Sequence, residues 1–181
     1  VTGAEPGDDW KSWMLWLQQH PEITPHKEYD RFLSAFFAAL DPKFVSLVYP
    51  SMPHTIRLEE IVWGGVKKDA IPPLDDPALI PASDADYLTP EELVFGIEIN
   101  GDVRAYPLRI MDWHEMLNDV VGGVSVSLAY CTLCGSGILF ETALEGREKP
   151  FRFGSSGLLY RSNKLMYDRE TNSLWNQFTG E

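Results

Sequence analysis

Between residues 50 and 90 the chain carries seven prolines, Pro50, Pro53, Pro72, Pro73, Pro77, Pro81 and Pro90, together with Gly64-Gly65. Each proline removes a backbone donor and fixes φ, so no long helix or central strand can run through this stretch. Its own apolar residues, Ile56, Leu58, Ile61, Val62 and Trp63, need burial. The segment therefore reads as an ordered wrap over a core, with a short strand near residues 58–63, and it separates two parts of different pattern.

Upstream, apolar residues recur at helical spacing. Residues 9–20, DWKSWMLWLQQH, carry Trp10, Trp13, Met14 and Leu17, with Asp8 or Asp9 as N-cap and Pro21 as the stop. Residues 27–40, KEYDRFLSAFFAAL, predict a second helix with Phe32, Phe36, Ala39 and Leu40 on one face and Pro42 beyond its end. Downstream the period changes to two. Residues 93–99 and 102–106 predict a hairpin around Asn100-Gly101, a turn pair that accepts positive φ at both positions. Residues 108–120, LRIMDWHEMLNDV, predict an inserted helix ended by Gly122-Gly123. VSVSLAY, at residues 124–130, alternates as a strand; CTLCGSG is a loop and ILFET a returning strand. FRFGSSG, LLYRS, KLMYDRET and SLWNQF continue as short strands. The expected class is α+β: a helical N-terminal segment over residues 1–50, then a mostly antiparallel β domain over residues 51–181 with one inserted helix.

With 44% hydrophobic and 12% aromatic residues, the chain can build a core and is not of disordered composition. A formal charge of −12 repels phosphate backbones, so nucleic acid is not an expected partner; the same charge serves solubility. No apolar run approaches the ~20 residues that cross a bilayer. The opening VTGAEPGDD does not read as a signal peptide. A start at Val1 and a stop soon after the SLWNQF strand suggest further sequence at both ends. The N-terminal helices are a candidate surface for a protein partner.

The only two cysteines are Cys131 and Cys134, in YCTLCGSGILF. Two intervening residues in a turn bring both sulfurs within reach of each other or of one ion. Gly135 and Gly137 permit the tight backbone. The residues after Cys134 are strand formers, so the strand–helix setting of a thioredoxin-like site is not expected. There is no second C-x-x-C and no H-x3–5-H pair among His20, His26, His54 and His114, which argues against a structural zinc finger. A site of two thiolates and one histidine suits a soft or borderline ion, copper first and zinc second. His114 is the candidate, expected on a helix face with Ile110, Leu117 and Val121, just before the strand that delivers Cys131. Met116 and Met166 are candidate thioether donors, although methionine is more often core. Three other readings stand beside the metal site. One is a metal-free thiol–disulfide pair. Another is a cysteine nucleophile activated by His114, with Asp112, Glu115 or Asp119 orienting it and the CGSG amides as an oxyanion hole. The third is a non-enzymatic assembly module. A purely structural disulfide is weakened by the shortness of its loop. The polar-rich tail from Ser155 to Glu181 reads as exposed meander faces or as a polar rim to the cysteine site, with Asp168 and Arg169 as a candidate buried pair.

RAYPLRIMDWHEMLNDVVGGVSVSLAYCTLCGSGILF followed by FGSSGLLYRSNKLMYDRETNSLWNQFTGE resembles a bacterial and archaeal family catalogued as DUF3179. The AYP, WHE, ND, YC-x-x-C and SLW motifs come in order, and the resemblance spans residues 63–181. It implies that His114, Cys131 and Cys134 belong together as signature polar residues, that the protein is exported to an extracytoplasmic compartment, and that a further C-terminal segment normally follows. It implies no substrate and no reaction.

Overall fold

The computed structural model describes residues 3–181. Helix α1 (Trp10–Gln19) starts at Asp9, whose carboxylate accepts from the Ser12 amide and hydroxyl, and ends before Pro21. Helix α2 (Tyr29–Leu40) ends at Asp41, whose side chain caps the following 3-10 turn (Pro42–Ser46) by accepting from the Lys43 amide. The buried face of α2 is Leu33 and Phe37, not the expected Phe32 and Phe36, which are exposed. None of the α1 residues is buried. That helix is instead tied down at its end by Arg57, which donates to the carbonyls of Leu17, His20 and Ile23.

Ten strands follow among the described residues. They are β1 (Ile61–Trp63), β2 (Leu74–Asp75), β3 (Val94–Ile99), β4 (Asp102–Pro107), β5 (Met116–Val121), β6 (Val124–Cys131), β7 (Ser136–Glu141), β8 (Phe153–Tyr160), β9 (Asn163–Asp168) and β10 (Leu174–Asn176). One sheet has the order β1-β8-β9-β10 and a second β2-β5-β6-β7, while β3 and β4 form a separate hairpin. All pairings are antiparallel except the short β2–β5 contact. With helices at one end of the chain and antiparallel sheets after them, the fold is α+β.

The expected helix over 108–120 is half right. Helix α3 covers only Leu108–His114, and Glu115 turns left-handed at φ 56°. The chain then continues as β5. Met116, Leu117 and Val121 satisfy either period, and pairing with β6 decides for the strand.

Strand parity sorts the interior into three layers. Leu33, Phe37 and Phe44 pack with Leu158, Leu165 and Tyr167 on the outer face of the first sheet. Tyr106, Met111, Leu117, Leu128 and Tyr130 form the layer beneath the hairpin and α3. Met116, Ala129, Phe153 and Met166 lie between the two sheets. The candidate thioether donors Met116 and Met166 are therefore core residues of this middle layer.

The proline-rich wrap is held by backbone and side-chain bonds. Gly64 N–H donates to the Gly157 carbonyl at 2.8 Å and Asp69 N–H to the Ser155 carbonyl at 3.0 Å. The Tyr167 hydroxyl donates to the Asp69 carboxylate, and the Lys68 ammonium sits 4.1 Å from the Tyr167 ring centroid. The wrap can approach this closely because Gly157, at φ 80°, has no side chain: a Cβ there would stand 2.4 Å from the Val66 carbonyl oxygen. Gly157 belongs to an irregularity in β8 between Ser155 and Leu158.

Candidate functional site

Cys131 is the last residue of β6, and the turn after it carries Cys134 and leads into β7. The two are joined as a disulfide, with Cα atoms 5.3 Å apart. The two sulfurs live in different surroundings. Cys131 is 3% exposed and shares the parity of Ala129, which aims it into the middle layer. Cys134 is exposed, and its sulfur lies 2.9 Å from the Ser162 carbonyl oxygen in the β8–β9 turn. That turn places Arg161 at φ 47° and Ser162 at φ 66°, a left-handed pair without glycine or asparagine.

Beneath Cys131 is a cavity of about 30 Å³, room for roughly one water, whose walls include Cys131, Glu115, Ser155 and Lys164. Lys164 reaches it from β9 and is 4% exposed. Its ammonium pairs with the Glu115 carboxylate and lies 3.0 Å from the Ser155 hydroxyl oxygen. Glu115 also accepts from the Thr132 hydroxyl at 2.9 Å and from the Ser155 hydroxyl at 3.2 Å. Its carbonyl accepts from the Tyr130 amide at 2.7 Å. One residue in a left-handed conformation thus ends α3, braces β6 and binds the loop that carries the disulfide. Burial pushes the Lys164 ammonium below its ordinary range, against the opposing pull of the Glu115 charge. Burial, with the Asp112 and Glu115 charges, pushes the Tyr130 phenol up.

His114 is placed elsewhere. Its Nδ1 faces the Pro72 carbonyl oxygen at 2.9 Å, and its ring lines an open surface depression with Tyr87, Arg109, Ile110 and Trp113. Ending α3 at His114 removes the expected shared face with Leu117 and Val121, which lie in a strand. The structure thus brings together Cys131 and Cys134 but not His114. Among the described residues no group of three or more histidine, cysteine, aspartate or glutamate side chains is arranged to hold a metal ion. Two of the three carboxylates considered as partners for His114 are engaged elsewhere: Glu115 pairs with Lys164 at 2.5 Å, and Asp119 accepts from Arg104 and from the Tyr106 hydroxyl, both at 2.7 Å.

The polar-rich tail is neither an exposed meander nor a simple rim. Asn163, Lys164, Asp168 and Gln177 are buried. Gln177 donates to the carbonyls of Ala129 and Ser136 and accepts from Asn163, stitching β9 to β6 and β7. Asp168 and Arg169 do not pair with each other. Asp168 accepts from the Glu170 and Thr171 amides, the Thr171 hydroxyl and the Trp175 indole, whereas Arg169 binds Asp75. Burial works to raise the Asp168 carboxyl, but the Thr171 and Trp175 hydrogen bonds outweigh it and hold it below the usual range.

Glu115 entered the sequence reading only as a carboxylate to orient His114, and Ser155 and Lys164 only within the polar-rich tail; their meeting at Cys131 was not read. The signal available was NKLMYD, in which Lys164 shares a strand face with the apolar Met166 while Leu165 and Tyr167 fill the other face.

No curated protein and no solved structure matches the chain. No helix among the described residues is long and apolar enough to cross a membrane. The family described as "Protein of unknown function (DUF3179)" matches residues 68–181, which takes in the disulfide, Glu115, Ser155 and Lys164, and the chain belongs to that family.

Proposed function

We propose that Cys131 and Cys134 form a thiol–disulfide exchange centre working in an oxidising, extracytoplasmic compartment, where such a pair persists. The observation that carries this reading is the asymmetry of the pair: one sulfur open at a loop, the other buried over an ionised cluster. A crosslink between residues three apart restrains little of the unfolded chain, on the order of 2 kcal/mol in the chain-entropy account, so stabilisation alone is a weak reason for it.

The reaction balances with a dithiol partner. A partner thiolate attacks the Cys134 sulfur, the S–S bond breaks, and its electron pair leaves on Cys131 as a thiolate, which takes up a proton. The second partner thiol loses its proton and attacks the partner sulfur in the mixed disulfide, releasing Cys134 as a thiolate that is then protonated. Two electrons and two protons pass from the partner dithiol to the protein. The reverse sequence reduces a partner disulfide.

The test is a titration of the folded protein in buffers of fixed thiol–disulfide ratio, counting free thiols and assaying copper and zinc on the same samples. Two thiols per chain, appearing together at a reproducible potential without bound metal, support the exchange reading. One equivalent of copper or zinc on the reduced chain, lost in Cys131→Ser and in His114→Ala, supports a soft-metal site from Cys131, Cys134 and His114 in its place.

A further inference from the structure

Resting on the exchange reading, we propose that Lys164 is the electrostatic partner of Cys131: it stabilises the thiolate that leaves when the disulfide is opened, and Glu115 sets how much of that charge is felt. Three observations carry the inference. Strand parity aims Cys131 and Lys164 into the same middle layer from opposite sheets. Both line one small cavity, whose ionisable walls are Cys131, Lys164 and Glu115 and whose other walls are glycine, serine and aliphatic residues. Glu115 and Lys164 are an ion pair taken out of water, an arrangement that a well-packed apolar pair would match or better for stability alone.

The need for a cation follows from the charge balance. In the disulfide form the cavity holds Lys164 as a cation and Glu115 as an anion, a neutral set. Breaking the S–S bond places a further negative charge on the buried Cys131 sulfur until a proton arrives. An anion so placed is costly without a neighbouring positive charge. The Ser155 hydroxyl steadies the ammonium, and the Thr132 hydroxyl ties Glu115 to the loop that carries the disulfide. A depressed Lys164 pKa agrees with an ammonium short of solvent.

The experiment measures the rate of reduction by dithiothreitol, and the equilibrium with it, for the wild type, Lys164→Met, Lys164→Arg and Glu115→Gln. Lys164→Met leaves Glu115 facing the sulfur uncompensated, and reduction slows by about tenfold, while the equilibrium moves toward the disulfide. Glu115→Gln removes the anion that competes with the sulfur for the ammonium, and, at a pH low enough to keep Lys164 protonated without it, reduction per reductant thiolate speeds up several-fold. Lys164→Arg retains most of the wild-type rate. Opposite signs for the two charge removals distinguish an electrostatic role from a structural one, which would move both in the same direction. If Lys164→Met fails to fold, Glu115→Gln and Lys164→Arg still decide: a slower or unchanged Glu115→Gln overturns the inference. If wild-type protein is not reduced while folded, the exchange reading fails first. If it is reduced but the variants shift together or not at all, only the role of Lys164 falls.

Discussion

Asn118 shows how much a single polar side chain does here. Its amide donates to the Phe153 carbonyl and accepts from the Phe153 amide, acting as a strand partner between β5 and β8 across the two sheets. Asn118→Ala leaves a buried N–H and a buried C=O unmet and is expected to cost about 2–4 kcal/mol, read as a lower urea midpoint. Asp168 gives a pH dependence with a definite sign. Its folded-state pKa is depressed, so the unfolded chain binds the proton more readily. The stability it adds is full above the ordinary carboxylate pKa and is lost as pH falls through the folded value. Asp168→Asn should therefore flatten the loss of stability between about pH 5 and pH 3, measured by urea unfolding across that range. An unchanged slope would assign the acid sensitivity to other carboxylates.

At the scale of elements, turn chemistry decided what could be read in advance. Asn100-Gly101 marks its hairpin because both residues accept positive φ. Gly122-Gly123 does the same for β5–β6, though it was read as a helix end. Arg161-Ser162 makes an equivalent left-handed turn with neither residue type, so nothing in its composition announced it. Glu115 is a parallel case: a left-handed glutamate carries no stop signal, and the apolar spacing after it fits a helix as well as a strand. Both unannounced positions border the disulfide, through the Ser162 carbonyl and the Glu115 carboxylate. Ser162→Gly should relieve the backbone and raise stability by about 0.5–1 kcal/mol without disturbing that carbonyl. A fall in the urea midpoint would show that the hydroxyl side chain, not the backbone, matters there.

Over the whole molecule, the sequence announced the cysteine pair, the α+β class and the ordered wrap, because each rests on local spacing or punctuation. The rest of the site depends on how the sheets stack. Glu115 and the β8–β9 hairpin residues Ser155 and Lys164 lie far apart in the chain and meet Cys131 only when β5, β6, β8 and β9 enclose one layer. His114 lay close in sequence to that layer, yet the early end of α3 turns it to Pro72. The buried face of α2 was likewise set by where the first sheet lies, not by helical spacing alone. The most direct measurement is the rate of disulfide reduction in the folded protein as the dithiothreitol concentration is raised, followed by thiol trapping, with circular dichroism on the same samples. The account predicts a rate proportional to the reductant thiolate, two thiols per chain, and native dichroism throughout. A rate that levels off at the rate of global unfolding would mean that the bond is reached only after the fold is lost, and would contradict an exchange centre at Cys131 and Cys134.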